Sequence, residues 1–183
     1  MADDGPAGTF QRSLKGEDHI GSEIVKIGTD FIQFLHVADG HGGDEVAELC
    51  HAKVIAYTVA EAGDDPSSES LTRAFERSFD RLQTEVLMLA TTAGTTLTVA
   101  AVNQTRSELT VANVGDSAAL LVFQNSETLL TADHRLEDSA VERERVIAAG
   151  CKIGRGLPSQ GSTDHRALAL TLLASHLLFS SPH

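Results

Sequence analysis

The chain contains no tryptophan and a single tyrosine among its 183 residues, and aromatic side chains make up only 4% of it. A core with so little aromatic bulk has to be filled by Val, Leu, Ile and Ala, so close aliphatic packing must hold it together. Cysteine is equally scarce. Cys50 and Cys151 lie far apart in sequence, which excludes a disulfide framework and a cysteine-based zinc cluster, and each reads as a small buried apolar residue. Basic residues are few, 14 against 26 acidic, for a net charge of −12. An acidic surface repels phosphate backbones and anionic headgroups, so neither nucleic acid nor membrane is an expected partner. Long apolar runs are also missing. Residues 167–179 form the most apolar segment near an end, but they include His176 and are too few to cross a bilayer. The opening residues carry Asp3 and Asp4 where a signal peptide would be basic, and no apolar stretch follows. A monomer in the cytoplasm or nucleus is therefore expected.

What is present is the content of one ordinary globular domain, with 42% hydrophobic residues. Residues 1–15 read as a loose polar terminus. Weak alternation over 20–28 suggests a first strand, and the uncharged run 31–38 reads as a strand buried at the centre of a sheet. From Asp44 onward Val46, Leu49, Cys50, Val54 and Tyr57 recur at helical spacing, with Asp44 and Glu45 suited to the positive helix start. Asp65 is placed to cap a second helix, with Pro66 at its first position, and the apolar series Leu71, Phe75, Phe79, Leu82, Val86, Leu89 continues that helix. The short connection predicts an αα-hairpin on one sheet face. Residues 95–102, 109–114 and 118–123 then predict an antiparallel meander. A third helix is expected over 137–149, closed by Gly150. Residues 151–183 form a divergent tail to which the pattern assigns no place.

Chemistry concentrates at Asp39-Gly40-His41-Gly42-Gly43, where the strand 31–38 gives way to a helix. A carboxylate and an imidazole at the open end of a rigid strand are well placed to react, although the same residues could make a plain polar turn. His19, His36, His51 and His134 have no zinc-binding spacing and read as satisfied core or surface residues.

Four segments in order, residues 37–43 (Val-Ala-Asp-Gly-His-Gly-Gly), 94–96 (Gly-Thr-Thr), 112–117 (Ala-Asn-Val-Gly-Asp-Ser) and 130–134 (Leu-Thr-Ala-Asp-His), resemble the metal-dependent Ser/Thr protein phosphatases of the phosphatase 2C type. The acidic pair Glu17-Asp18 resembles one near the start of that domain. The resemblance covers residues 16–150 and implies an α/β layered (α+β) fold. That fold is a partial β-sandwich flanked by helices, with the second half of the domain missing. It implies Mg²⁺- or Mn²⁺-dependent hydrolysis of phosphoserine and phosphothreonine in a phosphoprotein substrate, with two ions expected. Asp39 would be the bridging metal ligand, Gly40 a carbonyl ligand and His41 the general acid. Glu17 and Asp18 would act as outer-sphere ligands, Asp133 would belong to a third metal site, and Arg12 would grip the substrate phosphate. Asp116 and Ser117 read as a structural turn. Two further aspartates of the family, in Asp-Gly and Gly-Asp-Asn contexts, have no counterpart here, since Asp164 is the only acidic residue after Gly150. Metal binding should accordingly be weak. The alternative implied is a catalytically inactive, phosphatase-like binding or regulatory module.

Overall fold

The computed structural model describes residues 11, 15–123, 126–150 and 153, together with the backbone of residues 177–180. The described elements run β1 (His19–Ile27), β2 (Asp30–Ala38), β3 (Gly40–His41), α1 (Glu45–Ala62), α2 (Ser68–Met88), β4 (Gly94–Thr95), β5 (Leu97–Asn103), β6 (Glu108–Val114), β7 (Leu120–Phe123), β8 (Ser126–Leu129), α3 (Ala140–Ala148) and β9 (Leu177–Ser180). Five strands form one antiparallel sheet in the order β1-β2-β5-β6-β9, while β3-β4 and β7-β8 are separate two-stranded ribbons. This is the layered α/β arrangement expected.

The helical hairpin packs on the sheet as the apolar spacing predicts. Phe34 of β2 meets Phe75 of α2 edge to face, with ring centroids 6.4 Å apart, and Phe79 lies behind Phe75. All three are essentially inaccessible to solvent, as are Val46 and Val54 of α1 and Leu97 and Val99 of β5. The two helices are also joined by polar contacts. Thr58 and Ser78 share a buried hydrogen bond of 3.0 Å. Nearer the surface, Glu85 accepts from both Lys53 and Tyr57, and the Arg81 guanidinium stacks 3.7 Å over the Tyr57 ring.

Several expectations need correction. β2 is not buried on both faces. Its residues alternate between covered and open, leaving Phe31 61% and Val37 42% exposed on the face away from the helices. The second helix is capped by Ser67, which accepts from Ser70 N, and not by Asp65; Asp65 instead accepts from Ser67 N, stabilising the turn just ahead. Residues 118–123 do not extend the meander. β7 pairs with β8, and the place beside β6 is taken by β9, from the tail that the pattern left unassigned. α3 starts later than expected, because Ser139 provides its cap by accepting from Glu142 N. Gly150 ends it in the left-handed region (φ 84°), as anticipated.

A buried polar knot ties the β1–β2 turn to the β5–β6 turn. Asp30 accepts from Asn103 Nδ2 at 2.9 Å, Arg106 Nε at 2.6 Å and Thr29 Oγ1 at 2.8 Å. These bonds, Asn103's first, hold its carboxyl down to about 2. Asn103 also donates to the Pro66 carbonyl and accepts from Arg106 N. Asn103→Ala removes those bonds from a fully buried site and is expected to cost about 1–3 kcal/mol in urea unfolding. The knot's stabilisation is complete above the ordinary carboxylate pKa. It is lost as the pH falls through about 2, when Asp30 is protonated.

Candidate active site

The four motif segments, far apart in sequence, meet at one end of the sheet. Asp39 follows the last residue of β2, and its backbone is clamped to the Gly-Thr-Thr segment: Asp39 N donates to Thr96 Oγ1 at 3.1 Å and Thr96 N to Asp39 O at 2.9 Å. Thr96 Oγ1 in turn lies 2.6 Å from Ser117 Oγ. Asn113 of β6 accepts from Thr98 Oγ1 at 2.6 Å and donates to the Ala132 carbonyl at 2.9 Å, which brings in the fourth segment. His134 completes the lacing, since Gly115 N donates to its Nδ1 and its own N donates to Gly115 O. Gly115 is required here, because it sits at φ 95° with Thr96 Cγ2 only 2.7 Å from where a Cβ would be.

Around this scaffold the reactive groups are placed as follows. Gly40, in β3, lies so close to the carbonyl oxygen of Glu17 that a Cβ would overlap it, and Ala47 Cβ of α1 would stand 3.1 Å from that same Cβ. The backbone at Gly40 is therefore packed against the acidic pair's segment and the first turn of α1. His41 pairs with Gly94 across the ribbon, and its ring lies over the space a Gly94 side chain would fill. The pKa of the Asp39 carboxyl is raised by partial burial first, then by the charge and hydrogen-bonding influence of Asp18 and by the charge of Asp116, with His41 opposing. Asp18, Asp39, Asp116 and His41 thus form one electrostatic unit. The sequence places Asp116 in a structural turn, and its charge also acts on Asp39. A Gly-Asp step at the end of β6, the strand end nearest Thr96, is the signal that could have marked it.

Asp133 is linked to this unit through Arg135. Arg135 Nε lies 2.7 Å from Asp116 Oδ2 and 3.5 Å from Asp133 Oδ2, while Asp133 Oδ1 accepts from Arg135 N. The guanidinium occupies the position between those two carboxylates. Glu17 contributes its backbone beside Gly40. Arg12 lies outside the described residues.

Comparison with known proteins decides the family. The family model of protein phosphatase 2C matches residues 9–167. This chain belongs to the protein phosphatase 2C family. It is 33% identical over 151 residues to probable protein phosphatase 2C 5 of Arabidopsis thaliana, covering 77% of this chain and 35% of that protein. It is 34% identical over 159 residues to probable protein phosphatase 2C 15 of Arabidopsis thaliana, covering 81% and 36%. Among solved structures it is similar to a sex determining protein of C. elegans, with a TM-score of 0.63 and 25% identity over 79% of this chain and 38% of that one. The chain spans about a third of the length of the curated relatives it matches.

Phosphatase 2C proteins act with divalent metal, so the fit of such an ion to these residues matters. Among the described residues, no three His, Cys, Asp or Glu side chains form a group that could hold a metal ion. Asp18 and Asp39 are near enough for the charge of one to act on the other. Two carboxylates are the chemistry of at most one hard, largely hydrated cation, because Mg²⁺ characteristically binds through one or two carboxylates and keeps its remaining ligands as water. They do not complete a closed two-ion centre. No described helix is long and apolar enough to cross a membrane.

Proposed function

We propose that this chain carries the metal-and-acid portion of a protein Ser/Thr phosphatase site, directed at phosphoserine and phosphothreonine in protein substrates. The observation that carries the proposal is the convergence of the four family segments on Asp39, whose backbone Thr96 clamps and whose carboxyl feels the charges of Asp18 and Asp116. A carboxyl whose proton is retained by partial burial and then by neighbouring negative charge is one from which a cation can displace that proton.

When bound, Mg²⁺ or Mn²⁺ supplies charge neutralisation to the phosphoryl oxygens and acidifies water for in-line attack. Asp39 and Asp18 hold and orient that charge at the end of β2, with the Gly40 carbonyl as a further oxygen donor. The Thr96–Asp39 clamp fixes the backbone, so the carboxyl does not have to be ordered during the reaction. His41, held over Gly94, donates its proton to the departing seryl or threonyl oxygen.

His41 is testable by leaving group. An alkoxide needs a proton at departure, whereas p-nitrophenolate leaves readily without one. His41→Gln is therefore expected to slow hydrolysis of a phosphoserine peptide by about 10²- to 10⁴-fold, the usual worth of a general acid, and p-nitrophenyl phosphate far less. Equal losses on the two substrates would remove His41 from the acid role.

A second reading is favoured by one specific observation, the shortage of converging ligands among the described residues. In that reading the site recognises a phosphoprotein without turning it over. Binding of a phosphopeptide with no release of inorganic phosphate at saturating Mn²⁺ would support it over the first.

A further inference from the structure

Three imidazoles that the Asp39 turn does not use meet between the sheet and α1. His19 belongs to β1, His36 to β2 and His51 to α1. His36 Nε2 lies 2.9 Å from His51 Nδ1, and the His51 ring centroid is 5.0 Å from that of His36 and 5.3 Å from that of His19. His19 and His36 are not the satisfied core or surface residues expected from sequence. His36 is 5% exposed, and its slot is shaped by the strand beside it: Gly21 stands opposite in β1, where a Cβ would overlap the ring.

Among the described residues, one hydrogen bond serves this group, and His36 Nδ1 and His19 Nε2 are buried without a partner. A neutral His36 that donates from Nε2 to His51 Nδ1 leaves only a lone pair at Nδ1. A second proton would place an N–H at Nδ1 with no acceptor, and a positive charge in a desolvated site. The groups that act on His36 are His51 from α1 and His19 from β1, which can add only like charge, while β5 presents Val99 opposite it. Burial first, then those two rings, push His36 down to about 4.

We propose that His36, bonded to the His51 ring that also meets His19, is a proton-sensitive latch that holds α1 against β1 and β2 while neutral and releases it on acidification. The sign follows from a folded-state pKa below the unfolded one. Stability is complete above the ordinary histidine pKa near 6.5 and falls as the pH drops from there toward about 4. The latch lies close to the Asp39 turn, because α1 begins just beyond Gly43 and its Ala47 packs on Gly40. The proposal does not depend on the phosphatase reading.

The test is amide hydrogen exchange of α1 in the full chain between pH 7.5 and 5, after correction for intrinsic exchange, with His36→Gln alongside. In the parent, the opening equilibrium of α1 should rise by up to about tenfold per pH unit below 6.5, the dependence of one proton. In His36→Gln that rise should be largely lost. Parallel profiles for the two proteins would overturn the latch. If His36→Gln fails to fold, NMR titration of the His36 ring in the parent decides: a ring still neutral at pH 5.5 supports the proposal, and a midpoint near 6.5 overturns it.

Discussion

Asp39→Asn is expected to reduce Mn²⁺-dependent hydrolysis of a phosphoserine peptide by more than about 100-fold, because even outer-sphere partners of a metal site are worth 10- to 100-fold. The fold should be unaffected. Asp39 as a residue is open to solvent, with its carboxyl only partly desolvated, and its structural bonds to Thr96 are made by backbone atoms that the substitution leaves in place. The substitution also removes the carboxylate crowding that raises the Asp39 pKa, so thermal stability at neutral pH should stay the same or rise slightly. Loss of turnover without loss of stability, measured by phosphate release and by thermal unfolding on the same preparation, separates a chemical role from a structural one. A parallel fall in both would place Asp39 in the scaffold instead.

The second large effect concerns the core. Phe75 is fully buried, meets Phe34 edge to face and Phe79 at 6.3 Å, and links α2 to β2. With no tryptophan and few aromatic rings in the chain, no comparable side chain stands ready to fill the space. Phe75→Ala is expected to destabilise the chain by about 3–5 kcal/mol in denaturant unfolding, the transfer and cavity terms together. A loss below about 1 kcal/mol would mean that the helical hairpin closes over the cavity and that the Phe34–Phe75 contact is not central to the core.

The positions of α1 and α2 were legible in the sequence because their apolar residues recur at helical spacing and face a single sheet. The character of β2 was not. Three of its four outward residues, Phe31, Leu35 and Val37, are apolar, while the inward face includes His36, so the period of two that would reveal a half-covered strand is masked in the sequence. Capping at α2 was ambiguous for a related reason, since Asp65 and Ser67 are both able to cap and only the turn geometry assigns them different tasks. β9 could not be placed because its neighbour, β6, lies far away in sequence, and strand pairing at that separation leaves no local trace.

At the site, Asp39, Gly40 and His41 were readable as one cluster because they are consecutive. Their supports were not readable from composition or spacing. The clamp on Asp39 comes from Thr96, and its electrostatic setting comes from Asp18 and Asp116, so the unit exists only once β1, β2, β5 and β6 are in register. The histidine cluster was hidden in the same way. His19, His36 and His51 belong to three elements, and they meet only because β1 pairs with β2 under α1. Neither unit could be inferred from any one stretch of chain.

The most direct test of the Asp39 turn as a cation-holding centre is Mn²⁺ binding followed by electron paramagnetic resonance at neutral pH, for the parent chain and Asp39→Asn. The parent should bind Mn²⁺ saturably, and Asp39→Asn should bind it at least about tenfold more weakly. Equal binding by the two proteins, or no saturable binding by the folded parent, would contradict the account.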